Sequence, residues 1–347
     1  MIKMPDGKLF IGGEWKNGSG QEIVSIFPVD GSINCTFKGA SQEDVLEAIE
    51  LAKNAQSKDS WLSLKPYERA QYLYSIADGI ESNIERISQI QTRDTGKTLS
   101  ETSALARSAS GTFRYYAGLL ESSDDSLTSQ RSDSLTLSVY EPLGLISAIT
   151  PWNSPIASDA QKLAPALAAG NAVLLKPSSW SPLVSLELAK IIESSGLPKG
   201  LFSVLPGAGS EVGSLLVEHP DISKVTFTGS TSTGRKLAIQ AAQKLMPISL
   251  ELGGKSPAIV FEDADIDVAI SGVMFGIVSS TGQSCIAGSR LFIHESIYDK
   301  FLERLVNETN KLIVGDPYDK DTQVSSLIHH DHRDVVSAYV DRAIGDG

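Results

Sequence analysis

An α/β fold built on a parallel sheet is predicted by three observations. From residue 144 onwards, short apolar runs alternate with helical stretches, the pattern of βαβ units whose strands are buried on both faces. Several of those runs end in turns rich in Gly, Ser or Pro, at the strand ends where such sheets bind their ligands. The length, 347 residues of which 41% are hydrophobic, is enough for two domains or one large body with a full core.

Helical signals come first along the chain. Ser41 is a candidate cap, followed at helical spacing by Val45, Ala48, Ile49 and Ala52. Ile84, Ile87 and Ile90 repeat the pattern, and Leu99 to Leu120 reads as a long helix. The polar run from Glu121 to Ser134 breaks it. Leu135, Leu137 and Val139 then alternate with Thr136 and Ser138, which predicts an exposed edge strand or hairpin arm, or one paired with another subunit.

The strand-like runs follow: GLISAI (144–149), AVLL (172–175), FSVL (202–205), KVTF (224–227) and SLEL (249–252). After Gly253 the alternation restarts with PAIVF (257–261), an apolar helix from Asp267 to Ser280, RLFI (290–293) and a helix carrying Ile297, Phe301 and Leu305. This second α/β unit stops at Gly347 directly behind a helix and is expected to be incomplete. The division expected is 1–124 with 141–250 for a first domain, 125–140 for the hairpin and 251–347 for the second domain.

Composition narrows the partners. With 30 Lys+Arg against 42 Asp+Glu the net charge is −12, and no basic run occurs, so nucleic acid is not expected and a small molecule is. The longest apolar stretch, Leu163 to Leu175, contains Asn171 and falls short of the ~18 residues needed to span a bilayer. MIKMPDGKLF lacks the apolar core of a signal peptide, so a cytoplasmic protein with no membrane partner is expected. Two cysteines, Cys35 and Cys285, are too few for a disulfide framework.

Several residues could carry chemistry. In KVTFTGSTSTGRKL (224–237) a strand enters a Gly/Ser/Thr turn and leaves as a helix, whose first N–H groups can hold an anion at Gly229 and Ser230; an ordinary capped helix would look the same. A second Gly-rich turn, Pro206 to Gly209, follows FSVL, and the pair points to a dinucleotide. Lys176 ends a buried strand just before Pro177, where its ammonium could reach a ribose or phosphate, or simply lie on the surface.

Cys285 sits in a turn among small residues between an apolar helix and a strand, which suits a nucleophile, whereas Cys35 reads as an inert buried thiol. Glu251 emerges at a strand end beside Gly253 and Gly254 and could act as general base. Asn153, in TPWNSP, could aim its amide into the same crevice as an oxyanion donor, though alone it is a turn residue. The run IHHDHRD holds His329, His330 and His332, but adjacent histidines are expected to point apart and Asp331 and Arg333 suit a solvated helix start, so no metal site is expected.

Together, ITPWNSP, LLKPSSWSP, FTGSTSTGR, LELGGKSP and GQSCIAGSR, in this order, strongly resemble the NAD(P)-dependent aldehyde dehydrogenase superfamily across essentially the whole chain. The resemblance implies a Rossmann-like cofactor domain, a second catalytic domain and an oligomerisation arm at the hairpin, giving a homodimer or homotetramer. It implies Cys285 as nucleophile, Glu251 as base, Asn153 as oxyanion donor and Lys162 as a lysine beneath the asparagine. Lys176 would contact the ribose and Gly229 with Ser230 the pyrophosphate, with Pro151, Trp152, Gly207 and Leu252 completing the cofactor walls.

The implied reaction is oxidation of an aldehyde to its acid through a cysteine thiohemiacetal and a thioester hydrolysed by glutamate-activated water, with hydride transfer to NAD or NADP. Where many NAD-preferring relatives carry Glu, this chain has Ser179, so the repulsion of a 2′-phosphate is lost and NADP is expected to be tolerated. The E-x-F-G-P segment of the family does not occur in residues 1–347, which implies an incomplete catalytic domain. Two rival readings follow: a cofactor-binding fragment without catalysis, and a thiol esterase using Cys285 and Glu251 without redox.

Overall fold

A computed structural model describes residues 2–347. The chain opens with four short strands that the sequence reading did not find: β1 (Leu9–Ile11), β2 (Glu14–Lys16), β3 (Glu22–Ile26) and β4 (Ile33–Lys38). β1 and β2, three residues each and separated by Gly12-Gly13, show too few alternations for periodicity to register. β3 alternates exposed with buried residues and β4 apolar with polar ones, and that period of two was the available signal. Helix α1 (Gln42–Gln56) begins where expected, with the Ser41 hydroxyl accepting from the Asp44 N–H and the Asp44 carboxylate accepting from the Ser41 N–H.

Helices α2 (Asp59–Leu62), α3 (Pro66–Ser82), α4 (Ile84–Thr95) and α5 (Leu99–Glu121) follow. Of these, α4 buries Ile87 and Ile90 as the spacing predicts, the long helix expected from Leu99 to Leu120 is α5, which buries Ala106 and Phe113, and α3 buries Leu73, Ile76 and Ile80. The polar run beyond α5 is more than a break. It contains β5 (Ser126–Arg131), which pairs antiparallel with β6 (Ser134–Ser138), leaving Leu127, Leu135 and Leu137 exposed.

The central layer alternates as predicted: β7 (Leu145–Ile149), α6 (Pro155–Ala168), β8 (Ala172–Lys176), α7 (Leu183–Ser194), β9 (Phe202–Val204), α8 (Ser214–Glu218), β10 (Ile222–Gly229), α9 (Thr231–Gln243) and β11 (Ile248–Leu252). Every residue of β7 and β8 is buried, because helices cover both faces. The sheet order is β11-β10-β7-β8-β9-β1-β2, parallel from β11 to β9 and antiparallel at β1 and β2. From β7 the chain moves out through β8 to β9, then returns to place β10 on the opposite side of β7. The order reverses there, and a crevice opens at the carboxyl ends of β7 and β10.

Glu251 and Leu252 still pair with Thr228 and Gly229, so the first sheet extends past the boundary expected at residue 250. A smaller unit follows: β12 (Pro257–Val260) and β13 (Arg290–Ile293) pair in parallel, joined by α10 (Ile266–Val278), and Val260, Ile270 and Phe301 form its small core with α11 (Tyr298–Thr309). Helix α12 (His330–Asp346) ends the chain. Among the described residues no helix is long and apolar enough to cross a membrane.

Candidate active site

The crevice at the strand ends is a cleft of about 400 Å³ lined by Pro151, Trp152, Lys176, Ser179, Gly229 and Ser230, among others. All six were singled out from the sequence. Larger clefts lie elsewhere, one of about 1060 Å³ between α5 and α10. The small one is distinguished by converging polar groups and its place at the strand-order reversal.

Lys176 is the last residue of β8 and is buried, so the alternative of a surface lysine does not hold. Its Nζ donates to the carbonyl of Pro177 at 3.1 Å, and burial pushes its pKa down to about 8. An ammonium so desolvated, with one protein acceptor, is suited to bonding a polar ligand in the cleft. Ser179 Oγ donates to the carbonyl of Gly207 at 3.1 Å, tying the two loops together. A Cβ on Gly229 would stand 2.5 Å from the Phe227 ring, so only glycine lets the turn settle onto that buried side chain. Ser230 caps α9, its hydroxyl accepting from the Thr233 N–H at 3.2 Å. Leu252 lies at the end of β11, against Gly234 of α9. These residues present donors, a close-approach glycine and a helix start to one space, and so fit a dinucleotide.

The second group lies beside the first. Asn153 Nδ2 donates to the carbonyl of Gln283 at 2.8 Å, which brings the asparagine to the loop bearing Cys285. Cys285 is exposed in the turn before β13, as the sequence predicted. Glu251 emerges from β11, and the carbonyl oxygen of Cys285 is 3.7 Å from where a Cβ on nearby Gly254 would lie. Lys162 reaches from α6 to Thr226 Oγ1 at 3.1 Å. Burial lowers its pKa to about 8 against the opposing pull of Glu251 and Asp159. The other thiol differs. Burial first, then the Asp6 and Asp94 carboxylates, push the Cys35 pKa up, in keeping with an inert role.

The structure corrects the histidine reading. The rings of His329 and His330 do not point apart; their centroids are 4.0 Å from each other, because His329 is the extended cap residue of α12 and His330 the first helical one. Nor is the cluster wholly solvated. His329 stacks on Trp180 at 5.0 Å and His332 meets Trp152 at 4.9 Å, so the start of α12 packs beside the cleft. Burial lowers the pKa of both. His329, His330 and Asp331 have ligand atoms within 4.8 Å of one another, but His330 and Asp331 are exposed and His329 Nδ1 is engaged with the Asp331 N–H.

Two further groups were missed. Asp159 is fully buried, accepts from Ser185 Oγ at 2.6 Å, and has its pKa pushed up to about 6 by burial. Its place three residues before Lys162 on one helix was the available signal. Glu101, of α5, accepts from the N–H of Ser280 at 2.6 Å across a long sequence separation that no local pattern marks.

A family profile described as the aldehyde dehydrogenase family matches residues 15–347. The chain belongs to the aldehyde dehydrogenase family. It is 37% identical over 341 residues to betaine aldehyde dehydrogenase of Bacillus subtilis, covering 98% of this chain and 70% of that one. It is 38% identical to (Z)-2-((N-methylformamido)methylene)-5-hydroxybutyrolactone dehydrogenase of Acinetobacter baylyi, covering 99% and 70%. Among solved structures, betaine aldehyde dehydrogenase of Staphylococcus aureus in complex with NAD+ superimposes with a TM-score of 0.96 at 34% identity, covering 99% of this chain and 69% of that one. A variant aldehyde dehydrogenase of Bacillus cereus gives 0.96 at 34% identity, covering 99% and 70%. This aldehyde dehydrogenase chain therefore shares its fold with those enzymes over nearly its whole length.

Proposed function

We propose that this protein oxidises an aldehyde to the carboxylic acid with a nicotinamide dinucleotide as oxidant. The observation that carries the reading is the hydrogen bond from Asn153 to Gln283, which sets an amide donor beside the Cys285 turn and links that turn to the cofactor cleft beginning at Pro151 and Trp152.

Lys176, Ser179, Gly229 and Ser230 would hold the dinucleotide, which when bound supplies the hydride acceptor. The remaining chemistry falls to side chains of this chain. The Cys285 thiolate adds to the aldehyde carbon, and the Asn153 amide and the Cys285 N–H stabilise the oxyanion that forms. Once hydride has left that carbon, a thioester joins the acyl group to Cys285. Glu251 takes a proton from water, whose oxygen attacks the thioester, and the acid departs as the thiolate is released. Lys162, bonded to Thr226 and drawn on by the charges of Glu251 and Asp159, supplies positive charge near the base.

Ser179 in place of an acidic residue supports acceptance of NADP as well as NAD, since no carboxylate faces a 2′-phosphate there. Ser154 and Ser158, behind Asn153, favour a small or polar aldehyde. The exposed leucines of the β5–β6 hairpin support assembly into a dimer or tetramer.

Glu251→Gln tests the hydrolytic half. With aldehyde and cofactor, the variant is expected to accumulate an acyl adduct on Cys285, seen by mass spectrometry of the peptide, while turnover falls. Unchanged turnover without an adduct would refute the role of Glu251.

A further inference from the structure

Just upstream of Cys285 the backbone takes a course that L residues avoid. Ser280 (φ 58°, ψ 27°) and Thr281 (φ 56°, ψ 38°) are both left-handed, and Gly282 follows with φ 70°. A β-branched residue in that region is an outlier, and such conformations persist only where the surroundings over-determine them. The turn reverses the chain as it leaves α10, so it sets where Cys285 lies.

One side chain grips the head of this turn. Glu101 Oε1 accepts the Ser280 N–H at 2.6 Å, while its Oε2 accepts from the Thr98 N–H at 3.2 Å and from the Thr98 hydroxyl at 3.0 Å. The carboxylate is thus fixed at the start of α5, a 23-residue helix packed into the main core. Downstream, the Ser280 carbonyl accepts from the Gln283 N–H at 3.0 Å and from Gln283 Nε2 at 3.2 Å. The Gln283 carbonyl in turn accepts from Asn153 Nδ2 at 2.8 Å. A continuous path therefore runs from Glu101 through the left-handed turn to the asparagine, by way of Gln283, two residues before Cys285.

We propose that Glu101 is a positioning residue for Cys285: by bonding the Ser280 N–H it holds the left-handed turn that fixes the thiol relative to Asn153. The consequence for turnover rests on the reading of Cys285 as nucleophile; the effect on the turn does not.

The test uses Glu101→Asp, which keeps a carboxylate at the helix start but withdraws it from Ser280, and Glu101→Gln, whose amide oxygen can still accept the Ser280 N–H while its NH2 cannot accept the Thr98 N–H. Each is also made with Ser280→Gly, because glycine takes positive φ without strain. Two readouts are taken: the rate of Cys285 carboxamidomethylation by iodoacetamide, followed by peptide mass spectrometry, and kcat against KM for the dinucleotide. Glu101→Asp is expected to change the alkylation rate at least threefold and to lower kcat about tenfold, the scale of one lost charge-assisted hydrogen bond, with cofactor KM within about twofold. Glu101→Gln is expected to keep a near wild-type alkylation rate and kcat, and Ser280→Gly to restore the Asp variant.

An alkylation rate unchanged in Glu101→Asp, or no restoration by Ser280→Gly, would overturn the proposal. A loss of helix capping alone would lower Tm without rescue by glycine at 280. Should Cys285→Ser keep aldehyde oxidation intact, the nucleophile reading fails while the alkylation rates still decide what Glu101 does.

Discussion

Lys176→Met should stabilise the protein and weaken its cofactor binding together. Lys176 is buried at the end of β8, and its pKa falls from 10.5 to about 8. That difference corresponds to roughly 3 kcal/mol by which the fold disfavours the charged form at neutral pH. Methionine removes this penalty and keeps the packing volume, at the loss of the hydrogen bond to the Pro177 carbonyl, worth about 1 kcal/mol. The net gain is on the order of 2 kcal/mol, which for an unfolding entropy of this size is a rise in Tm of roughly 3 °C without cofactor. The sign reverses for the ligand. Losing a charge-assisted hydrogen bond to the dinucleotide should raise Kd about 10- to 150-fold.

The assay is thermal unfolding without cofactor, combined with cofactor titration followed by quenching of Trp152 and Trp180 fluorescence beside the cleft. The pH dependence is fixed as well. Below about 8 the wild-type penalty is fully present, and it shrinks as pH rises from there to 10.5, where the folded lysine has lost its proton and the unfolded one still holds it. The Tm gap between variant and wild type should therefore close over that range. A variant with lower Tm at pH 7, or with unchanged Kd, would refute the reasoning.

Two other outcomes follow from the same geometry. Ser179→Glu should lower the ratio of kcat/KM for NADP to that for NAD by about tenfold or more, because a carboxylate would face the 2′-phosphate; steady-state kinetics with both cofactors check it. Lys162 has its pKa lowered to about 8, so the positive charge that acts on Glu251 is lost as pH rises through that value. An alkaline limb near pH 8 is expected in kcat, and Lys162→Met should abolish the limb while lowering kcat about tenfold at pH 7; a pH–rate profile of both proteins decides.

The parts of the site legible in the sequence share one property: they lie at the ends of buried strands. Runs such as AVLL and SLEL mark strand ends directly, so Lys176 and Glu251 could be placed from pattern alone, and Gly229 and Ser230 from the strand–turn–helix texture. What escaped was set by tertiary contact. Glu101 is far from Ser280 in sequence, and His329 and His332 acquire their surroundings only when α12 packs near Trp180 and Trp152. The helix expected to run to Ser280 ends at Val278, since the left-handed turn there is made of Ser and Thr, which carry no compositional signal for positive φ. β1 and β2, at three residues each, were too short for periodicity to show, and they complete one edge of the main sheet.

The reactive thiol is the centre of the account, and a single-atom exchange tests it. Aldehyde-dependent reduction of NAD or NADP is to be measured for the wild type and for Cys285→Ser at matched folding. The account predicts a loss of about 10³-fold or more in the variant, since a serine hydroxyl, un-ionised at neutral pH, is a far weaker nucleophile than a thiolate. Oxidation proceeding in Cys285→Ser at the wild-type rate would contradict it.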